Sequence, residues 1–124
     1  MGLFGSFKKK KPQQAQQLFL EEIELKETLQ KQDEQLESIK KAEKQYEETG
    51  DIGSLISFWE GIWSSSGLLF NGSKWTFRLP ELYMQLQQYD DALRILKKIK
   101  NPSYFEKRDS YVLKIKTLKQ KNVL

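Results

Sequence analysis

Between Ile52 and Trp63 the apolar residues Ile52, Leu55, Ile56, Trp59, Ile62 and Trp63 recur at the spacing of one helix face. Before it, from about Ala15 to Thr49, the chain lacks Pro and Gly and is rich in Gln, Glu, Leu and Lys, all good helix formers. Leu18, Leu25, Ile39 and Tyr46 share one heptad position there, with Gln32 as its polar member. Leu29 and Leu36 take the complementary position, where Glu22 and Glu43 are polar. This predicts one long helix or two collinear ones, with a seam for its own domain or for another chain. Thr49-Gly50-Asp51 closes it: Gly50 suits the left-handed position after a helix end, and Asp51 is a good N-cap.

Ser64 to Ser73 reads as a loop whose middle, Leu68-Leu69-Phe70, folds back on the core. A third helix begins near Phe77 to Leu79, with Pro80 in its first turn, and ends near Gln87. A fourth runs from Tyr89 to about Lys100 with Ala92, Leu93, Leu96 and Ile99 inward. After Asn101-Pro102, Ser103 and Glu106 have the spacing of a capping box for a fifth. That helix sets Tyr104, Tyr111, Val112, Ile115 and Leu118 on one face and lysines on the other. The expectation is an all-α chain of about five helices with a long first one: a flexible basic tail over 1–14 and a single helical domain over 15–124.

Two segments align without gaps, Ala42–Ile62 and Leu79–Ile99, offset by 37 residues. Tyr46 pairs with Tyr83, Ile52 with Tyr89, Leu55 with Ala92, Trp59 with Leu96 and Ile62 with Ile99. Leu86-Gln87-Gln88-Tyr89-Asp90-Asp91-Ala92-Leu93 resembles the turn and second helix of a tetratricopeptide repeat (TPR), and Glu48-Thr49-Gly50-Asp51-Ile52 resembles the same turn. The likeness covers roughly residues 39–104. Glu43 and Pro80 stand where that family favours a small residue, and the offset exceeds its period of about 34 residues. The resemblance implies antiparallel helix–turn–helix repeats with a capping helix, and protein or peptide binding without catalysis. The binding groove would lie on the inner faces of the first and third helices, with Tyr46, Tyr83, Trp63 and Trp75 as candidate contacts. Core packing is the competing role for the tryptophans, and Trp59 sits at a core position.

Composition narrows the chemistry. The chain has neither Cys nor His, so thiolate metal sites, thiol nucleophiles and the usual neutral-pH base are missing. The pairs Glu21/Glu22, Glu47/Glu48 and Asp90/Asp91 point in diverging directions on helices. Glu43 and Glu47, one turn apart, lack a third metal ligand. No phosphate loop, nucleophile elbow or dinucleotide fingerprint occurs. The expectation is a protein that is not an enzyme, without cofactor or metal.

The formal charge is +4, unevenly spread. Residues 12–49 hold ten acids against five bases, and residues 81–124 ten bases against five acids. That basic half carries no nucleic-acid motif, so a solvated helix face or an acidic partner is expected rather than nucleic acid. Met1-Gly2 with Ser6 fits an N-myristoylation pattern, and Lys8 to Lys11 supply a basic cluster beside it. Gly2, Phe4, Phe7, Lys8, Lys9, Lys10 and Lys11 are therefore candidates for contact with an anionic membrane surface; a plain basic tail is the alternative. The lysines follow the apolar residues, which is not the order of a secretory signal. The longest strictly apolar runs, Met1 to Gly5 and Gly67 to Phe70, are far too short for a span. The expected location is cytoplasmic, with peripheral membrane attachment if the tail engages lipid. Three functions follow: an interaction scaffold, a peripheral membrane protein, and a homo-oligomer built on the Leu18–Leu36 seam.

Overall fold

A computed structural model describes residues 2–65, 67–69 and 72–123, with side chains from Gln16 on except Ser73, Asn122 and Val123. Every regular element among them is helical: α1 (Gly2–Thr49), α2 (Ile52–Ser64), α3 (Ser73–Thr76), α4 (Arg78–Gln85), α5 (Tyr89–Leu96), a 3₁₀ turn (Pro102–Tyr104) and α6 (Phe105–Val123). The first helix is continuous. Its backbone is helical from Gly2, through the region read from sequence as a tail, and it passes Pro12 with the loss of the bond a backbone N–H would give the Lys8 carbonyl.

The chain divides inside α1 into two compact units, Met1–Lys41 and Ala42–Leu124. In the first unit the described residues 16–31 are all exposed, and among the described side chains Ile39 alone is buried. Local bonds support this helix: Gln17 Nε2 donates to Glu21, Gln30 Nε2 to Glu34, and the Thr28 and Ser38 hydroxyls to carbonyls one turn back.

The second unit begins with the last turns of α1. Gly50 takes φ 70°, its N–H donating to the Tyr46 carbonyl at 2.7 Å. Asp51 then caps α2, accepting from the Ser54 N–H at 3.2 Å and the Ser54 hydroxyl at 2.6 Å. The turn between α4 and α5 has similar backbone angles but different hydrogen bonds and no side-chain cap. Gln87 has φ 60°, Gln88 precedes α5, and the Gln88 N–H donates to the Tyr83 carbonyl at 2.8 Å. The backbone angles before the second helix nearly coincide, φ −80° and ψ 85° at Asp51 against φ −91° and ψ 69° at Gln88.

The core gathers Leu55, Trp59, Phe77, Leu79, Leu82, Tyr83, Ala92, Ile95, Leu96, Ile99 and Ile115. α4 packs against α2 and α5, and α5 packs against α6. Ile95 is buried where the sequence pattern had set Leu93, which is half-buried. α5 ends sooner than its apolar pattern suggests: the chain tightens into i→i+3 bonds, Lys98 N–H to Ile95 and Ile99 N–H to Leu96, ahead of Pro102. Asn101, rather than the Ser103–Glu106 box, starts the next segment, its side chain accepting from the Ser103 N–H at 3.0 Å. The 64–73 connection closes with α3; Leu68 and Leu69 are half-buried, and Phe70 lies outside the described residues.

Candidate functional site

Two carboxylates tie the helices of the second unit together. Glu43, in the last turns of α1, accepts from Arg78 Nη2 at 2.7 Å, from Arg78 Nε at 3.0 Å and from the Trp59 indole N–H at 3.0 Å. Its side chain is 15% exposed and that of Arg78 24%. Hydrogen bonding to Glu43 raises the Arg78 guanidinium pKa, against the opposing effect of burial. Glu60, on α2, accepts from the Tyr83 hydroxyl and from Arg94, joining α2 to α4 and α5. The Arg94 hydrogen bond holds the Glu60 carboxyl below its usual range, with burial opposing and Tyr83 assisting. Burial and then the bond to Glu60 push the Tyr83 hydroxyl up to about 12.

These bonds link helices. Each carboxylate already has a cationic and a neutral donor, so neither is poised to take a proton from a substrate. Glu43 is committed to Arg78 and Trp59, so it does not combine with exposed Glu47 as a metal pair. Among the described residues no three acidic side chains gather as metal ligands.

The four aromatic residues singled out from the sequence occupy different settings. Tyr46 is half-buried and lines a cleft of about 120 Å³ between the end of α1 and α2, with Leu55 and Phe58. Tyr83 is 6% exposed, a core residue with its hydroxyl satisfied. Trp75 stacks on buried Trp59 with centroids 5.9 Å apart, and Lys74 Nζ lies 4.7 Å from its ring centre. Trp63 is half-buried, and its indole N–H has no hydrogen-bond partner among the described residues. Tyr46 alone of the four lines a described cleft. The backbone of Gly2, Phe4, Phe7, Lys8, Lys9, Lys10 and Lys11 is helical, and their side chains lie outside the described residues.

A larger concavity lies between α4 and α6. Glu81, Met84, Gln85, Tyr111, Lys114 and Leu118 enclose a groove of about 390 Å³. Met84, Leu118 and the Tyr111 ring supply apolar surface; Glu81, Gln85 and Lys114 supply polar atoms of both signs. The wall is fixed where the Tyr111 hydroxyl donates to Glu81 and the Tyr111 ring stacks on buried Phe77 at 5.0 Å. Burial, with the Glu81 bond second, pushes the Tyr111 hydroxyl to about 12. Tyr111 and Leu118 were legible as one face of the last helix. Met84 and Glu81 carried no signal, because a groove between helices 30 residues apart is a property of packing.

Fold and site together define an all-helical domain with a mixed apolar–polar groove between two helices. No family model, no curated protein and no solved structure matches this chain. No helix among the described residues is long and apolar enough to cross a membrane.

Proposed function

We propose that this chain is a non-catalytic interaction module of the tetratricopeptide kind, and that the α4–α6 groove receives a short peptide segment of a partner protein. The groove carries the reading: an apolar floor for one or two anchoring side chains, with an acid, an amide and a lysine around it to orient a backbone. Two helix turns 37 residues apart with matching backbone angles support the repeat. In that arrangement α4 is the first helix of the second copy and α6 the helix that caps it, which sets the groove on the inner face.

The test is selection of peptides from a displayed library against the full chain, followed by affinity measurement on Met84→Lys and Leu118→Lys. Binders are expected to lose at least tenfold in affinity to both variants, with circular dichroism and melting unchanged. A library that yields no binder, or binders indifferent to both substitutions, would refute the assignment.

A further inference from the structure

The first unit is a helix whose described side chains from 16 to 31 are all exposed, yet it carries large apolar ones. Leu18 is 62% exposed, Leu25 59% and Leu29 49%. At about 100° per residue, Leu25 and Leu29 lie about 20° either side of Leu18, and Leu36, half-buried, returns to the same line. Glu22 and Gln32 fall in this stripe between the leucines. Leucines left in water along one line of a helix mark an interface.

The geometry points to a second copy of the same helix, running antiparallel and centred on Glu27, as the occupant of this stripe. In that register every layer matches in kind. Leu18 meets Leu36 of the second copy, Leu25 meets Leu29, and the two-fold axis repeats both pairings. Glu22 meets Gln32, so a carboxylate faces an amide that can donate to it. The parallel in-register pairing sets Glu22 against Glu22, two like charges inside an apolar seam, and is disfavoured. A polar layer that accepts only one orientation is the device by which coiled coils fix direction at some cost in affinity. Four leucines and two polar residues per helix make an association that exchanges readily with monomer. This inference does not depend on the α4–α6 groove.

The test uses the full chain in sedimentation equilibrium over roughly micromolar to half-millimolar concentration, a range that brackets weak association. A reversible monomer–dimer equilibrium is expected, and Leu25→Glu with Leu29→Glu should abolish it while tryptophan fluorescence of the second unit stays unchanged. Replacing both polar residues, Glu22→Leu with Gln32→Leu, should tighten the dimer at least tenfold. The chain has no cysteine, so orientation can be read by oxidation. Mixed Glu22→Cys and Gln32→Cys chains should form the hetero-disulfide, and Glu22→Cys alone should not cross-link. A monomer at every concentration, a dimer indifferent to the leucine changes, or a Glu22→Cys homodimer overturns the proposal. So does a monomer that binds phosphatidylserine vesicles through Leu18, Leu25 and Leu29, which would give the stripe to a lipid surface.

Discussion

Removing the Glu43 carboxylate should be among the most damaging single changes available to the second unit. Glu43→Ala leaves the Arg78 guanidinium three-quarters covered without its counter-charge, and the Trp59 indole N–H, on a residue with 0% exposure, without an acceptor. Breaking a buried ion pair from one side costs about 3–5 kcal/mol, and an unsatisfied buried N–H about 1–3 kcal/mol. The quarter of Arg78 that reaches water screens the first contribution, and alanine returns about 0.4 kcal/mol of helix propensity. A net loss of about 3 kcal/mol is expected, a large part of the roughly 5–10 kcal/mol that holds a domain of this size. Guanidinium unfolding followed by tryptophan fluorescence and circular dichroism measures it. Glu43→Gln, which keeps an acceptor for Trp59 but no charge, should lose about half as much. Pairing Glu43→Met with Arg78→Met should recover much of the loss, because an apolar pair leaves no orphaned charge. A Glu43→Ala loss under about 1 kcal/mol, no greater than that of exposed Glu47→Ala, would refute the reasoning.

Gly50 and Gln87, the positive-φ residues of the two helix turns described above, invite opposite substitutions. Gly50→Ala should destabilise by about 1–2 kcal/mol through backbone strain alone, since a Cβ at Gly50 meets nothing within 4 Å. Gln87→Gly should stabilise by about 0.5 kcal/mol, the relief of strain less the added freedom of the unfolded chain; thermal unfolding decides both. At high pH, Tyr83 and Tyr111 have folded pKa values of about 12, above the ordinary 10.0. Their contribution is complete below pH 10 and lost as the pH rises through about 12. Phenolate absorbance should show these two titrating late, together with unfolding, and five tyrosines ionising alike near 10 would contradict it. At low pH the sign reverses for Glu60, whose carboxyl is held below 4.5: its contribution is present above 4.5 and lost as the pH falls through the lowered value. Arg94 is 43% exposed, so the effect is about 1 kcal/mol or less, and Glu60→Gln should flatten that part of the stability curve.

Apolar periodicity made the helices legible. Leu55 and Trp59 are buried because the Ile52–Trp63 stripe has helical spacing, and the Gly50-Asp51 turn and cap stand where glycine and aspartate had set them. Gln87 was harder to read, since a non-glycine residue at positive φ has no compositional mark. Glu43 looks like a misfit in the sequence alignment, a charge where the resemblance expects a small residue. Its role depends on Arg78, 35 residues away, and Trp59, 16 away, and local pattern holds no record of such pairings. The same limit applies to the groove. Tyr46 and Tyr83 align in the sequence, yet one lines a cleft and the other is buried in the core.

Among its described residues α6 buries Ile115 fully, and Tyr111, stacked on Phe77 and bonded to Glu81, is its second anchor. Lys119 reaches Asp90 at 2.7 Å from positions 46% and 87% exposed. Beyond those anchors the exposed C-terminal part of α6 is the stretch of groove wall expected to open first. In the proposed peptide-binding role, affinity at the groove would scale with the fraction of chains in which the wall is closed. Salt, which screens the exposed Lys119–Asp90 pair, lowers that fraction without touching the bound segment. In the proposed role occupancy and helix docking would be one equilibrium, and a segment filling the groove would also protect the C-terminal helix from proteolysis.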